Sequence, residues 1–245
     1  TGDILLTGYS SSNATENSDG VRVESAGTTI SSLNGDIRLT GQALTNYNND
    51  DGVLLYNQAT VTSSGSGTIT LDGSAGTEGL GVHILANVNL TQTGTGAISL
   101  TGSGSTANKL VFQDNTNIST ANNDITFNGD TFIITSNSTV SSAGELIITP
   151  ENNGTSIGLG GGVGTLNLAD AELLRLSAGG NLIIGDSTNG TGAGDVDSWD
   201  LSGTSYDVAL YGGAIDLGGI TLGAGDFLAH AQNDQDLAIT AAISK

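Results

Sequence analysis

The chain has 245 residues, 25 acidic and 5 basic, for a formal charge of −20, with no cysteine and a single proline. That charge excludes a phosphate-binding surface and opposes adsorption to anionic lipid, because both depend on clustered Lys and Arg. Without cysteine there is no disulfide framework, thiolate nucleophile or thiolate metal site, and no apolar run reaches the ~18 residues of a membrane-spanning helix, so neither nucleic acid nor membrane insertion is expected.

Along the chain one short pattern recurs seven times: Gly2–Gly8, Gly35–Gly41, Gly67–Gly73, Gly96–Gly102, Asn123–Gly129, Gly144–Pro150 and Gly180–Asp186. Each copy is an apolar, variable, apolar triplet bounded by turn residues, which predicts a strand buried on one face. The copies start 21 to 36 residues apart, an interval that predicts a stacked repeat. Ile4, Ile37, Ile69, Ile98, Ile125, Leu146 and Leu182 then form one inward column, with Leu6, Leu39, Leu71, Leu100, Phe127, Ile148 and Ile184 beside it. Between them Leu5, Arg38, Thr70, Ser99, Thr126, Ile147 and Ile183 point outward, and their mixed chemistry fixes the register.

A second alternation follows each first strand, at Val21/Val23, Val53/Leu55, Val82/Ile84, Leu110/Phe112 and Phe132/Ile134, and a third is centred on Ile30, Val61, Leu90, Ile118 or Val140. Three strands per coil, joined by turns rich in the 38 glycines, predict an all-β fold: a single-stranded parallel β-helix. Right-handed winding is expected because right-handed crossovers dominate between parallel strands, and no strict hexapeptide period is present. Residues 1–245 read as one β-helix, regular over 1–150, with a variable loop after strand one, and less regular over 151–245. There the alternations are Leu166/Leu168, Leu174/Leu176, Leu182/Ile184, Trp199–Leu201, Val208–Leu210, Ile215–Leu217, Ile220–Leu222, Phe227–Ala229 and Leu237–Ile239. Nine or ten coils are expected, a rod on the order of 45 Å long.

Between first and second strands the insertion shortens along the chain, from the Gly8–Gly20 interval through Gly41–Gly52 and Gly73–Gly81 to Gly129–Thr131. These loops are expected to emerge at one corner as a tapering ridge, chiefly a solvated site for insertions and secondarily a recognition surface. Because the first residues already lie inside a repeat, the chain is expected to be a segment of a longer protein, its end coils adjoining further coils or associating end to end.

The alternation of Gly-Asp-Ile-x-Leu-Thr-Gly with Asp-Gly-Val and Thr-Thr-Ile-Ser-Ser, and later Gly-Gly-Asn-Leu-Ile-Ile-Gly and Gly-Asp-Phe-Leu-Ala-His-Ala, resembles the repeat regions of filamentous-haemagglutinin-like large exoproteins and giant bacterial surface adhesins. The resemblance spans nearly the whole chain. It implies an extracellular or cell-surface bacterial protein, an elongated structural or adhesive shaft with no enzyme site. Implied partners are a host or neighbouring-cell surface, glycans or extracellular matrix.

Parallel β-helices also carry polysaccharide lyases and hydrolases, so a polysaccharide-binding or polysaccharide-degrading protein, tailspike-like forms included, is the alternative. A lyase needs a basic residue beside carboxylates, and a hydrolase needs clustered Asp on neighbouring coils. The basic residues Arg22, Arg38, Lys109, Arg175 and Lys245 are scattered, with Arg22 one coil from Leu54 and two from His83. His83 and His230 are isolated, and neither makes a triad or metal case. No catalytic, cofactor-binding or metal-binding residues are therefore assigned, and no cofactor is expected. Calcium is the minor reading for Asp186, Asp195, Asp197 and Asp200, and for Asn48-Asn49-Asp50-Asp51, against solvated acidic turns. The sequons at Asn13, Asn137 and Asn153 are expected by chance, and the outward positions are too mixed for an ice-binding array.

Overall fold

In a computed structural model the chain winds through nine coils of parallel strands, described over residues 2–11, 18–44, 50–104, 110–135 and 137–245. The first five coils repeat one plan. They are β1 (Ile4–Tyr9), β2 (Val21–Glu24) and β3 (Thr29–Ser32); β4 (Ile37–Gln42), β5 (Val53–Tyr56) and β6 (Thr60–Ser63); β7 (Ile69–Ala75), β8 (Val82–Leu85) and β9 (Asn89–Gln92); β10 (Ile98–Gly104), β11 (Leu110–Phe112) and β12 (Asn117–Thr120); β13 (Ile125–Asn128), β14 (Phe132–Ile134) and β15 (Thr139–Ser142). The sixth holds β16 (Leu146–Thr149), β17 (Ile157–Leu159), β18 (Leu166–Leu168), the short helix α1 (Asp170–Leu173) and β19 (Leu176–Ala178). The last three hold β20 (Leu182–Ile184) and β21 (Gly194–Asp200); β22 (Val208–Gly212) and β23 (Ile215–Thr221); and β24 (Phe227–Ala231), β25 (Leu237–Ile239) and β26 (Ile243–Ser244).

Through the first five coils each strand pairs in parallel with its equivalent one coil away. The first sheet runs unbroken as β1-β4-β7-β10-β13-β16-β20-β22-β24. Its register stacks Ile4 on Ile37, Ile69, Ile98, Ile125, Leu146 and Leu182, with Leu6 and its equivalents in the neighbouring column, so the inward columns stand where the alternation places them. From Ile37 to Ile184 these residues are buried, whereas in the first coil Leu6 is 41% exposed. The second sheet, β2-β5-β8-β11-β14, and the third, β3-β6-β9-β12-β15-β19, close the prism. In coils four and five Phe112, Phe127 and Phe132 fill the core, their ring centroids 5.1–5.3 Å apart.

The corner between second and third sheets is turned by residues with positive φ: Asn57 and Gln58, Ala86 and Asn87, Asp114 and Asn115, and Asn137. Asn and Asp tolerate this left-handed conformation because their side chains bond locally, which explains the Asn-rich step at this point of successive coils. At the corners leading into the other sheets, Asp performs a different task. The Asp3 carboxylate accepts the Asp36 N–H at 3.0 Å, Asp36 that of Thr68 at 2.8 Å, Asp124 that of Glu145 at 2.8 Å, and Asp207 that of Asp226 at 2.8 Å. Asp19, Asp51 and Asp130 do the same for the N–H groups of Asp51, Leu80 and Asn152. In all seven cases the donor lies in the next coil, so the side chain extends the ladder around a bend where the backbone alone would leave an N–H unpaired.

Regularity breaks in coil six. After β17 the glycine-rich residues 160–165 return the chain so that β18 lies parallel beside β17, Ile157 opposite Leu166. The returning loop lies against the outer surface of β17, since a Cβ on Gly158 would meet the Gly162 carbonyl oxygen at 2.4 Å; the Asn167 amide then donates to that same oxygen at 2.8 Å. Leu174, expected in a strand with Leu176, instead ends α1 and is 78% exposed. Glu172 of α1 joins the two halves: one carboxylate oxygen accepts the N–H of Ile134 on the edge of the second sheet, the other that of Ala169, both at 3.0 Å. Beyond this seam a fourth sheet, β18-β17-β21-β23-β25, replaces the second. The Ile215–Leu217 and Ile220–Leu222 alternations merge into the one long strand β23, which like β21 serves two sides of its coil. At the far end Ile239 is 61% exposed.

Ile69→Asp places an unpaired charge in the fully buried column and is expected to cost about 4 kcal/mol or more, whereas Thr70→Asp, one residue along and facing out, should stay within about 0.5 kcal/mol. Denaturant titration followed by circular dichroism checks the pair, and equal effects would contradict the register. Glu172→Gln keeps one acceptor oxygen of two and should cost about 1–2 kcal/mol, read as an earlier melting of coils beyond the seam.

Candidate functional site

The variable insertions leave and rejoin the prism through glycine pairs. A Cβ on Gly8 would lie 1.8 Å from the Gly20 carbonyl oxygen, one on Gly41 1.8 Å from that of Gly52, and one on Gly73 1.9 Å from that of Gly81. Only glycine permits this approach, and it shuts each loop at its root so that the strands before and after it stay in register whatever the loop length. Loop residues 12–17, 45–49 and 105–109, with Asn13, Asn48, Asn49 and Lys109 among them, lie outside the described residues.

At the described roots of the expected ridge several side chains are covered. Leu54 and Val111 point away from the core on the second sheet yet are 7% and 2% exposed, and Asp50 and Asp51 are buried with them. His83 stands between Leu54 and Val111 in the same outward column. Its Nδ1 lies 2.8 Å from Asp51 Oδ2, while Asp51 Oδ1 accepts the Leu80 N–H at 3.0 Å. The other ring nitrogen, Nε2, is buried and has no hydrogen-bond partner among the described residues. Arg22 heads the column and spans Asp19 at 3.2 Å and Glu24 at 2.6 Å. Burial raises the Asp19 carboxyl above its ordinary value, and the Asp51 carboxylate adds to the rise, against the Asp51 N–H and Arg22, which lower it. Arg22 and His83 thus share a face with carboxylates that sequence spacing did not bring to them. The readable signal was the Asp-Gly step before successive second strands, Asp19-Gly20 and Asp51-Gly52.

The remaining singled-out residues do not converge. Arg38 pairs with Asp72 at 3.0 Å and Lys245 with Asp226 at 3.7 Å, both on the surface. Arg175 Nε is buried without a hydrogen bond among the described residues. His230 faces outward on β24, its ring 5.8 Å from that of Tyr211. Of the Asp186–Asp200 group, Asp186 accepts the N–H groups of Thr188 and Asn189, Asp195 that of Val163, and Asp200 that of Ser202. Among the described residues no three His or acidic side chains are grouped as metal ligands would be.

A second feature arises where the third sheet stops at β19. Residues 201–206 take a path set off from its free edge, and a groove of about 770 Å³ opens between α1, β19, this segment and the outer ends of β21 and β23. Tyr206 spans it, its hydroxyl donating to the Leu176 carbonyl at 3.2 Å, and burial raises that hydroxyl above its ordinary value. Beneath, Trp199 is 4% exposed and meets Phe227 edge-on at 6.3 Å. Sequence reasoning missed this groove because it depends on the chain path after coil six. Comparisons with protein-family models, with curated proteins and with solved structures found no match to this chain.

The raised Asp19 value has a definite sign. A carboxyl that titrates higher when folded favours the folded state most below its ordinary 3.8, and that contribution is lost as pH rises through the folded value. Melting of the first coils is therefore expected to shift upward as pH falls from neutral towards the ordinary value, and Asp19→Asn should flatten this dependence relative to the unsubstituted chain. An unchanged slope would show that Asp19 is not desolvated.

Proposed function

We infer that this chain is the structural and adhesive shaft of an extracellular or cell-surface bacterial protein, a stiff spacer that displays variable loops along one edge and carries no catalytic role. The observation that supports this most is the glycine-closed root of successive insertions, at Gly8–Gly20, Gly41–Gly52 and Gly73–Gly81, beside a first sheet that keeps one register through nine strands. Such a scaffold separates the requirement for stiffness from that for recognition, because the loops can vary without altering the ladder. Many acidic groups are likewise engaged in coil-to-coil bonds, which suits a support more than a reaction centre. The bacterial surface placement rests on the resemblance to haemagglutinin-like exoproteins. Partners on this reading are a host or neighbouring-cell surface, its glycans or its matrix, and the exposed aliphatic side chains of the first and last coils suit end-to-end association. A polysaccharide-binding protein is the second reading, favoured by the groove beside β19.

Excision of residues 12–17 and 45–49, leaving Ser10, Asp19 and Asp50 in place, tests the proposal. Stability should remain within about 0.5 kcal/mol, while adhesion of beads coated with the chain to cells or immobilised matrix should fall. Unfolding of the shortened chain, unchanged adhesion, or degradation of a polysaccharide by the intact chain would each contradict it.

A further inference from the structure

The geometry points to the groove between α1 and residues 201–206 as a binding site for a neutral oligosaccharide, an inference that rests on the adhesive reading and gives it a ligand class. Its volume of about 770 Å³ suits several sugar rings, and as a partly open groove it leaves room for a longer chain. The chemistry of its walls narrows the choice. Among the described residues no Lys, Arg or His lines it, whereas Asp170 and Asp200 do, so phosphate, sulfate and uronic-acid groups are repelled.

What those carboxylates can accept is a hydroxyl proton. Many acids of the prism already hold a backbone N–H from the next coil, but the Asp170 carboxylate has no hydrogen bond or ion pair among the described residues. Nor do the hydroxyls of Ser177 and Thr221, which line the same groove. Acceptors and dual donor–acceptors spread over a concave surface match a ligand that presents hydroxyls in several directions. Tyr206 and the 78% exposed Leu174 supply an apolar wall for the C–H face of a sugar ring. An extended peptide pairing with the free edge of β19 is the competing occupant, but Tyr206 already occupies the Leu176 carbonyl on that edge.

The test is a glycan array of neutral, sulfated and uronic-acid oligosaccharides, followed by calorimetric titration of the full chain with the best neutral ligand. Gly219 suits a blocking substitution, since a Cβ there would meet nothing closer than the Ala242 carbonyl oxygen at 3.9 Å. Gly219→Trp should weaken binding by about tenfold or more, and Asp170→Asn should weaken it in the same direction, with the melting temperature of both unchanged. The proposal is overturned if no neutral glycan binds, if only sulfated or acidic glycans or a basic peptide bind, or if Gly219→Trp binds as the unsubstituted chain does. Adhesion of coated beads that persists in Gly219→Trp would remove the groove while leaving the shaft and its loops intact.

Discussion

Parallel stacking, in which each residue meets its own equivalent one coil above and below, constrains everything else in this molecule. Strands about 4.8 Å apart bring like onto like, so a side chain suits a column only if it can pack against copies of itself. Aliphatic groups satisfy that condition inside, which is why Ile37, Ile69, Ile98 and Ile125 recur with so little variation. Stacked carboxylates would repel one another. At seven corners the structure turns the Asp towards a backbone N–H of the neighbouring coil, so that a strongly acidic chain uses part of its charge to finish the ladder.

The first five coils were legible because three periodicities agree there: the inward alternation, the turn residues and the spacing of the Gly-Asp-Ile motif. Stacking multiplied the signal, since a misplaced register would have turned several columns at once towards water. The corner carboxylates looked like solvated turn residues, because their partners lie 19 to 33 positions away and only the coil geometry joins them. Coil six escaped for a different reason. Gly158 to Gly164 admits many backbone paths, and Leu174 and Leu176 fit a strand period as well as the end of a helical turn; Glu172, reaching both Ile134 and Ala169, decides between them.

Function follows the same division. Where the coils are regular, variation is confined to loops closed at the root, and the chemistry gathered there, Asp19, Asp51, His83 and Arg22, ties loop bases to the second sheet. Where the prism changes cross-section, a free strand edge and an offset segment leave a concavity in which the Asp170 carboxylate and the Ser177 and Thr221 hydroxyls have no partner among the described residues. On the proposed reading the regular coils are the support, and their interruption is the candidate ligand site.

Amide hydrogen exchange resolved by residue tests the corner ladder most directly. The N–H groups of Thr68, Glu145 and Asp226, bonded only to carboxylates of adjoining coils, should exchange as slowly as that of Ile69 inside the first sheet. Exchange at the rate of unprotected turns would show that the carboxylates face solvent and that the coils are not joined at their corners.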